Sequence, residues 1–459
     1  MQVVQKSSAA QVGRPPLPLR SSALHFAGYL ALLGVLALLC ARWTPGLHWG
    51  MSAAEIAAAT ARSGAHDPGS FITGAQDIAR YGWVTPQNYW LVHLWPPGFM
   101  LLQGALLRVL GEGTPILVPL LLLALLCSAA WMVLLREVLR PRMPLPAATL
   151  APLVPFAFPV APFVLFTPLA LSLGETFSIS FFLGAFLLVL LARRTASWWQ
   201  AVSAGLLLAL SAYFRSQFEV LVAVLTLGAG VVLAASVLAF LRKRKGLVDR
   251  NTLRAVLVSV AVAHLAMLPW RIHNYLEAGT AGWVQTSTVI AINSLTPEAE
   301  LLRLGGHFVV EGGGHLACKL EPSFCGQKDQ EFFYRAFFMH PVEWIVEKAR
   351  RLPPYWLAPS LPSSLSSVDV APAWYDILAN LVLLGCIVAS LWRLWRIRRE
   401  AEFAVQAWFQ LSFYVALAGV YTLAHFEGRY FYLPKIFSVV ALLTLLPSRA
   451  DPSKNEVNR

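Results

Sequence analysis

The chain has little charge. Of its 459 residues, 13% are Asp, Glu, Lys or Arg, whereas 57% are hydrophobic. The mean hydropathy is +0.60. A soluble domain needs more charge and less apolar surface than this. The composition therefore excludes an ordinary soluble protein and predicts an all-α polytopic membrane protein.

Cysteine is scarce as well. The chain has five cysteines, which are too few for a framework of disulfides. Three lie within apolar stretches, where a thiol behaves as a small hydrophobic side chain: Cys40, Cys127 and Cys386. Cys318 and Cys325 differ from these because they lie close together in a polar stretch.

Acidic residues are fewer than basic ones. The chain has 24 Asp and Glu and 36 Lys and Arg, which gives a net charge of +12. In a soluble protein this excess would suggest a nucleic-acid partner. Here the basic residues cluster in short loops between apolar spans, as is typical of cytoplasmic loops that face anionic lipid. The charge therefore predicts orientation in a membrane, and we expect no nucleic-acid partner.

The first apolar run, about 24–43, is long enough to span. It follows a basic segment and has no convincing cleavage site, so we expect an uncleaved anchor with a cytoplasmic N-terminus. The next segment, 97–110, is short and is interrupted by Gln103 and Arg108. If it spanned, Arg140 and its basic neighbours would lie outside. We therefore predict that it lies at the outer interface, because this choice keeps every later basic loop inside.

About ten spans result from this count: 24–43, 115–135, 146–170, 176–192, 197–214, 217–241, 253–270, 377–395, 403–424 and 430–447. Pro152, Pro155, Pro159 and Pro162 predict that the span at 146–170 is kinked or broken. The predicted membrane domain covers 1–447, with outer loops at 45–114 and 271–376 and a cytoplasmic tail at 448–459. No internal repeat is visible.

The large outer loop contains the two exceptional cysteines. An external position permits oxidation, so Cys318 and Cys325 could form a local disulfide or remain two reduced thiols. His307 and His315 lie nearby, but the spacing matches no closed zinc site. The stretch EFFYRAFFMHPVEWIVEKARR predicts helices interrupted at Pro341.

The stretch from His66 to Gly111 is the richest in acidic, basic and aromatic side chains next to the first span. Asp67 precedes Pro68, a pattern typical of a helix N-cap followed by its first residue. Phe71 and Ala75 follow Asp67 at four-residue steps and share its helix face. Asp77 belongs to another face, at a spacing that suits an ion pair with Arg80.

Three motifs carry a resemblance: HDPGSFITGAQ leading to LWPPG, PWRIHNYLEAG from Pro269, and HFEGRYFYLP from His425. In this order the chain resembles the polyprenol-dependent membrane glycosyltransferases of the C-type integral membrane fold. That superfamily includes protein O-mannosyltransferases and the bacterial enzymes that add aminoarabinose to lipid A. The resemblance implies that Asp67 is the catalytic aspartate. The chain departs from many members of this superfamily at Pro68, where they carry a second acidic residue. It also departs from their usual pattern at His273, where they carry Arg.

Sugar transfer needs a base for the acceptor hydroxyl and cations for the leaving phosphate. The candidate donor-phosphate ligands are His93, Arg215, Arg271 and Arg429. Further candidates at the same predicted face are Asp77, Glu175, His273, His425 and Glu427. Other roles stay open for four of these residues. Arg271 and Arg429 could be interfacial anchors, Glu175 could cap a helix, and His93 could form hydrogen bonds with backbone carbonyls. His425 with Glu427 could bind a divalent metal, the one possible cofactor.

The sequence thus predicts an inner-membrane enzyme that moves a sugar from a polyprenyl-phosphate donor to an acceptor on the periplasmic or external side. The acceptor could be a lipid, a polysaccharide or a protein. One alternative is a transporter or flippase of lipid-linked saccharides, although repeated halves and midplane charges are lacking. A non-catalytic subunit of an envelope-assembly complex is the other, because a fold can persist after its chemistry is lost.

Overall fold

The computed structural model describes residues 19–43, 50–63, 66–158, 174–242, 248–278, 286–358, 372–398, 400 and 402–447. Every regular element within these ranges is a helix, so the predicted all-α class is confirmed. Residues 1–18 of the predicted membrane domain, its cytoplasmic tail and part of each predicted outer loop lie outside the described residues.

The first part of the chain forms seven α-helices. They are α1 (Leu19–Trp43), α2 (Ala53–Ser63), α3 (His66–Tyr81), α4 (Tyr89–Leu94), α5 (Gly98–Leu110), α6 (Leu117–Leu139) and α7 (Leu145–Leu150). A 3₁₀ helix at Ala151–Ala157 continues from α7. Pro152 and Pro155 lie within it, and each lacks the N–H that an α-helix needs. The predicted break in this segment is therefore present, and Pro159 and Pro162 lie outside the described residues.

The central part forms a helical bundle and then a loop domain. The bundle helices are α8 (Glu175–Thr195), α9 (Trp198–Phe214), α10 (Gln217–Leu241) and α11 (Arg250–Ala278). The loop domain contains α12 (Thr286–Leu295), α13 (Glu298–Arg303), α14 (His307–Glu311), α15 (Leu316–Leu320), α16 (Gln330–Met339) and α17 (Pro341–Leu357). The chain then returns to the bundle with α18 (Trp374–Arg396), α19 (Phe403–Leu423) and α20 (Tyr432–Thr444).

Seven of these helices are long and apolar enough to cross a membrane: α1, α6, α8, α10, α11, α18 and α19. The predicted count of ten spans is not confirmed. Helix α9 has 17 residues and α20 has 13. At 1.5 Å per residue these reach only about 26 and 20 Å, less than a bilayer core of about 30 Å. The predicted span 146–170 is helical only to Ala157 within its described part.

Aromatic rings form the centre of the bundle. The Phe182 ring of α8 lies 5.2 Å from Phe409 and 5.3 Å from Phe413, both on α19. Phe413 in turn lies 4.1 Å from Phe437 of α20. All four side chains are buried. Helix α20 is therefore part of the bundle core even though it is short.

Basic side chains lie together at one end of the bundle. Arg142 pairs with Glu402, which precedes α19. Arg193, at the end of α8, lies 2.9 Å from Asp249, which precedes α11. Arg393 of α18 donates to the carbonyl of Leu445 over 3.1 Å. The loops that were predicted to be cytoplasmic thus lie at one end of the bundle, which we call the basic end. The opposite end, where α6 begins, is called the site end.

Helix α5 packs along α3 at the site end. Gly104 is so close to Ile78 that an added Cβ would lie 2.6 Å from its side chain. Arg80, in the last turn of α3, and Glu112, just after α5, form a bidentate pair with both N–O distances at 2.5 Å. With 13 residues, α5 spans about 20 Å. This is less than a bilayer core of about 30 Å, and the position of α5 at the membrane interface stays a prediction.

The loop domain has a small core of its own around Trp344 and Phe333, whose rings lie 5.4 Å apart. Helix α16 ends at Met339 and α17 begins at Pro341, where the sequence predicts an interruption. Cys318 and Cys325 form a disulfide with a Cα–Cα distance of 4.6 Å. The alternative of two reduced thiols is not present in this structure.

Candidate active site

Helix α3 positions the predicted base. It begins at His66, so Asp67 is a residue of its first turn and not the residue before the helix. The side chain of Asp67 lies outside the described part. Phe71 and Ala75 are fully buried, and the Phe71 ring lies 6.1 Å from Trp95 and 5.7 Å from Phe99. Phe71 and Ala75 therefore lie on one buried face of α3. Phe71 packs this face against residues 95–98, called the Trp-Pro-Pro-Gly corner below.

Asp77 does not form the predicted ion pair with Arg80, because Arg80 is engaged by Glu112. The Oδ2 atom of Asp77 instead accepts hydrogen bonds from the amide and hydroxyl of Thr85, over 2.9 and 2.6 Å, and from Asn88 Nδ2 over 2.9 Å. Burial raises the pKa of Asp77, but these hydrogen bonds outweigh burial and leave the pKa lower than usual. Asp77 is thus an anchor for the turn after α3.

The Trp-Pro-Pro-Gly corner contacts the bundle without a gap. A Cβ on Gly98 would lie 2.6 Å from the carbonyl oxygen of Tyr213, near the end of α9. A Cβ on Gly174 would lie 3.2 Å from Phe99. Only glycine lets the backbones approach this closely. The first motif therefore lies directly beside Glu175 and Arg215, which follow Gly174 and Phe214.

Glu175, Arg215, Glu427 and Arg429 form a buried ionic network with His425 at its edge. The distance from Glu175 Oε1 is 2.8 Å to Arg215 Nη2 and 3.4 Å to Arg429 Nη1. Arg429 Nε lies 2.7 Å from Glu427 Oε2, and His425 Nε2 lies 3.4 Å from Glu427 Oε1. The four charged residues are each at most 8% exposed. Glu175 is therefore more than a cap, and Arg429 is not an interfacial anchor.

The carboxylate of Glu427 is held in its charged form. Burial alone would raise its pKa, but the charge of Arg429 and the hydrogen bond with His425 lower the pKa to about 2. The network thus contains two carboxylates and two guanidinium groups, which balance each other. A donor phosphate would have to compete with Glu175 and Glu427 for these arginines, so the geometry does not favour Arg215 and Arg429 as its direct ligands.

Arg271 belongs to a second group of polar side chains, between α10 and α11, in which Glu219 is buried and the others are half-buried. Its Nε lies 3.7 Å from Glu219 Oε1, and its Nη1 lies 2.9 Å from Nδ1 of His264. The other ring nitrogen of His264 lies 2.7 Å from the hydroxyl of Thr226. Sequence reasoning missed Glu219 and His264. The signal was available, since an ionisable residue within an apolar span is itself a reason to expect a functional or structural partner.

His93 and His273 come together within a group of aromatic rings. The His273 ring lies 6.2 Å from His93, 5.2 Å from Trp83 and 6.1 Å from Tyr89. Burial, with a smaller contribution from His273, lowers the pKa of His93. Nε2 of each histidine has no hydrogen-bond partner within the described part of the chain. An imidazole whose ring nitrogen has no partner can form a hydrogen bond with a polar ligand.

Lys348 was also missed, although it follows Trp344 by one helical turn and shares its buried face. It is 3% exposed, and its Nζ donates to the carbonyls of Gly312 and Ala424. Its ammonium lies 5.2 Å from the centre of the Phe426 ring. Burial, with a smaller effect from Arg351, lowers the pKa of Lys348 to about 7. Lys348 thus links the loop domain to the segment that begins at His425.

The residues described do not form a metal site. No group of three or more His, Cys, Asp or Glu side chains in the described ranges could hold a metal ion. His425 and Glu427 are adjacent, but Glu427 is already engaged by Arg429. This pair alone does not fit a divalent cation, which takes more oxygen or nitrogen ligands than two side chains supply.

No family model matches the chain, and no curated protein matches it. Two solved structures of the oligosaccharyltransferase AglB from Archaeoglobus fulgidus are similar to it, each at 14% identity over 91% of this chain with a TM-score of 0.48. One is a complex with an inhibitory peptide and a dolichol-phosphate. In the other an acceptor peptide containing the NVT sequon is tethered by a disulfide bond. The chain covers 50% and 49% of the AglB chains, about half their length. At this level the similarity does not assign an activity.

Proposed function

We propose that this protein is a membrane glycosyltransferase that transfers a sugar from a polyprenyl-phosphate donor to an acceptor at the site end. The observation that carries the proposal is the convergence of three motifs that are far apart in the sequence. The Trp-Pro-Pro-Gly corner, the end of α11 and the segment from His425 resemble the motifs of one enzyme superfamily, and they lie at the same end of the bundle.

The first two motifs are in direct contact, and the third is connected to them through a short series of residues. Trp270 Nε1 donates to the carbonyl of Val92 over 3.4 Å, which joins α11 to α4. The Trp270 ring lies 5.5 Å from Tyr213, whose carbonyl contacts Gly98. Arg215, two residues later, reaches Arg429 through Glu175. A scaffold that used these residues only for packing would not need ionisable groups from every motif at one membrane boundary.

In the proposed reaction Asp67 is the general base. Its carboxylate takes the proton of the acceptor hydroxyl as the acceptor oxygen forms a bond to the anomeric carbon. The bond from that carbon to the phosphate oxygen breaks, and polyprenyl phosphate leaves with the electron pair. A direct displacement inverts the anomeric centre. The step needs no redox partner, since the proton goes to Asp67 and the electron pair goes to the phosphate.

We assign the leaving phosphate to Arg271, His93 and His273. Arg271 supplies a cation near the end of α11. Its Nε lies 3.7 Å from the Glu219 carboxylate, farther than the 2.8 and 2.7 Å that separate Arg215 and Arg429 from theirs, so a phosphate competes with a weaker ion pair there. The two histidines offer unpartnered ring nitrogens within the described part of the chain. Such groups stabilise the charge that develops on the departing phosphate. Arg215 and Arg429 then have a positioning role, because their charges hold Glu175 and Glu427. The lipid tail would lie among the apolar helices, with its phosphate at the membrane boundary.

A transfer assay tests the proposal. The purified protein is reconstituted in liposomes with polyprenyl phosphates that carry ¹⁴C-labelled mannose, glucose or aminoarabinose. Lipid A, a peptide library and an extract of bacterial membranes serve as acceptors. Label in an acceptor, with release of polyprenyl phosphate, is the expected result. Movement of labelled lipid between leaflets without transfer would establish a flippase instead, and neither transfer nor movement in any combination would favour a non-catalytic subunit.

A further inference from the structure

Helix α17 has one face toward the protein and one toward water. Trp344, Lys348 and Tyr355 are buried on the first face. The second face is charged. Its Glu347 lies 2.7 Å from Lys319 of α15 and 3.4 Å from Arg350. The pair with Lys319 joins the charged face to α15, whereas the pair with Arg350 lies within α17.

A third face is both apolar and exposed. Val342, Ile345 and Val346 are 67%, 53% and 40% exposed, and Ala349 is exposed with them. At 3.6 residues per turn these four side chains occupy an arc of about 100°, next to the charged face. An amphipathic helix in a soluble domain would carry polar side chains here. The exposed surface of α17 is therefore itself divided into an apolar and a charged half.

Two tryptophans fix the direction of the helix relative to the membrane spans. Trp344 Nε1 donates over 2.7 Å to the carbonyl of Thr422, in the last turn of α19. Trp356 Nε1 donates over 3.0 Å to the carbonyl of Asn380, in α18. These anchors are separated by about 18 Å of helix. Because Thr422 is next to the last residue of α19 and Asn380 lies six residues inside α18, α17 crosses from the end of one candidate span to the first turns of another.

The apolar face of α17 points in the same direction as Trp356, which packs against Phe431 and Lys435 near the start of α20. Trp356 follows Ala349 by seven residues, or two helical turns, so both project from nearly the same face. Through Trp356 that face meets α18 at Asn380, deeper than the exposed Trp374 and Tyr375 at the start of the span. Aromatic side chains at such a position mark the membrane–water boundary.

We infer that the apolar face of α17, formed by Val342, Ile345, Val346 and Ala349, is embedded in the lipid of the leaflet at the site end. The partner of this surface is a phospholipid bilayer. The neighbouring charged face remains in water, which is the division of side chains that holds a helix at a membrane interface.

This position links the bilayer to the ionic network. The buried face of α17 holds Lys348 against the carbonyl of Ala424, next to His425. Helix α17 in the inferred position contacts lipid through one face and the segment that begins at His425 through another. The inference depends on the candidate spans and the hydrogen bonds of α17, and it stands whether or not the protein transfers sugar.

Spin labels on single cysteines test the inference. The full chain, with Cys40, Cys127 and Cys386 replaced by Ala and the disulfide kept, is labelled at Val342→Cys or Ile345→Cys. Glu343→Cys and Arg350→Cys on the charged face are the matched controls. Each variant must keep the thermal unfolding midpoint of the background protein. Collision rates with oxygen, which concentrates in lipid, and with a water-soluble nickel chelate are measured in phosphatidylcholine nanodiscs.

We expect oxygen to dominate at residues 342 and 345, and the nickel chelate to dominate at residues 343 and 350. A bimane label at the same sites should be quenched by brominated lipid only at the first pair. Dominance of the nickel chelate at all four sites would overturn the inference. Protection of residues 342 and 345 from both colliders would also overturn it, because the face would then be covered by protein, such as a second copy of the chain.

Discussion

Arg429 and Glu175 lie 3.4 Å apart, and they join the segment after α19 to the first turn of α8. Both are buried, and each has a further charged partner. The pair therefore connects two distant parts of the chain in a setting where neither charge can be left alone.

We predict that Arg429→Met destabilises the protein by about 3–5 kcal/mol, because it leaves Glu175 and Glu427 with too little positive charge in a buried site. Arg350→Met is the matched control. Its side chain is 72% exposed, and removal of an exposed ion pair costs at most about 1 kcal/mol. Chemical denaturation in detergent measures both. Equal stability of the two variants would contradict the network.

Asp77→Ala should release the turn after α3. The change leaves the amide and hydroxyl of Thr85 and the amide of Asn88 without their common acceptor, at a cost of about 1–3 kcal/mol. Hydrogen exchange at the Thr85 amide should accelerate. Glu112→Ala is the control, since it breaks only the exposed pair with Arg80. Unchanged exchange at Thr85 in Asp77→Ala would show that Asp77 is not the anchor.

Stability should depend on pH through Lys348. Its pKa is about 7 in the folded protein against an ordinary value of 10.5. Between these values the unfolded chain binds more protons than the folded chain, so the contribution of Lys348 to stability improves as pH rises from 7 to 10.5. Below pH 7 the full cost of the buried charge is present.

Thermal unfolding at several pH values checks this. Wild-type protein should gain stability relative to Lys348→Met as the pH rises above 7. The exposed Lys328 provides a control, because Lys328→Met should follow wild type at every pH. A constant difference between wild type and Lys348→Met would refute a lowered pKa.

The close contact at Gly98 predicts a packing defect. Gly98→Ala would place a Cβ 2.6 Å from the carbonyl oxygen of Tyr213, so α5 must shift away from α9. Overpacking of this kind costs about 1–3 kcal/mol. Gly385→Ala in α18 meets no atom within 4 Å and should be neutral or stabilising by up to about 1 kcal/mol. Thermal unfolding distinguishes the two, and similar midpoints would argue against the contact.

The sequence predicted the all-α class and many helix bounds because apolar runs and prolines act locally. Its count of ten spans is not confirmed, since 197–214 and 430–447 are apolar but form helices of only 17 and 13 residues. It also identified Glu175, Arg215, Glu427 and Arg429 as candidates without their mutual pairing. That pairing depends on how α8, α9 and α20 pack, which no local pattern encodes.

The same limit explains Asp77. A spacing of three residues is compatible with an ion pair to Arg80, yet Glu112 is a better partner once α5 packs along α3. The role of Lys348 was hidden for a similar reason. Its acceptors are the backbone carbonyls of Gly312 and Ala424, and carbonyls are present at every position of a sequence.

The central claim is that Asp67 is the base, and the most direct measurement is the rate of sugar transfer by Asp67→Asn. Asn keeps the size of Asp and remains compatible with the first turn of α3, so folding should be preserved. The loss of a general base should lower turnover by about 10²–10⁴-fold while donor binding is retained. Asp329→Asn, the same change at the exposed N-cap of α16, should transfer sugar at the wild-type rate. Full activity of Asp67→Asn, or equal losses in both variants, would contradict the account.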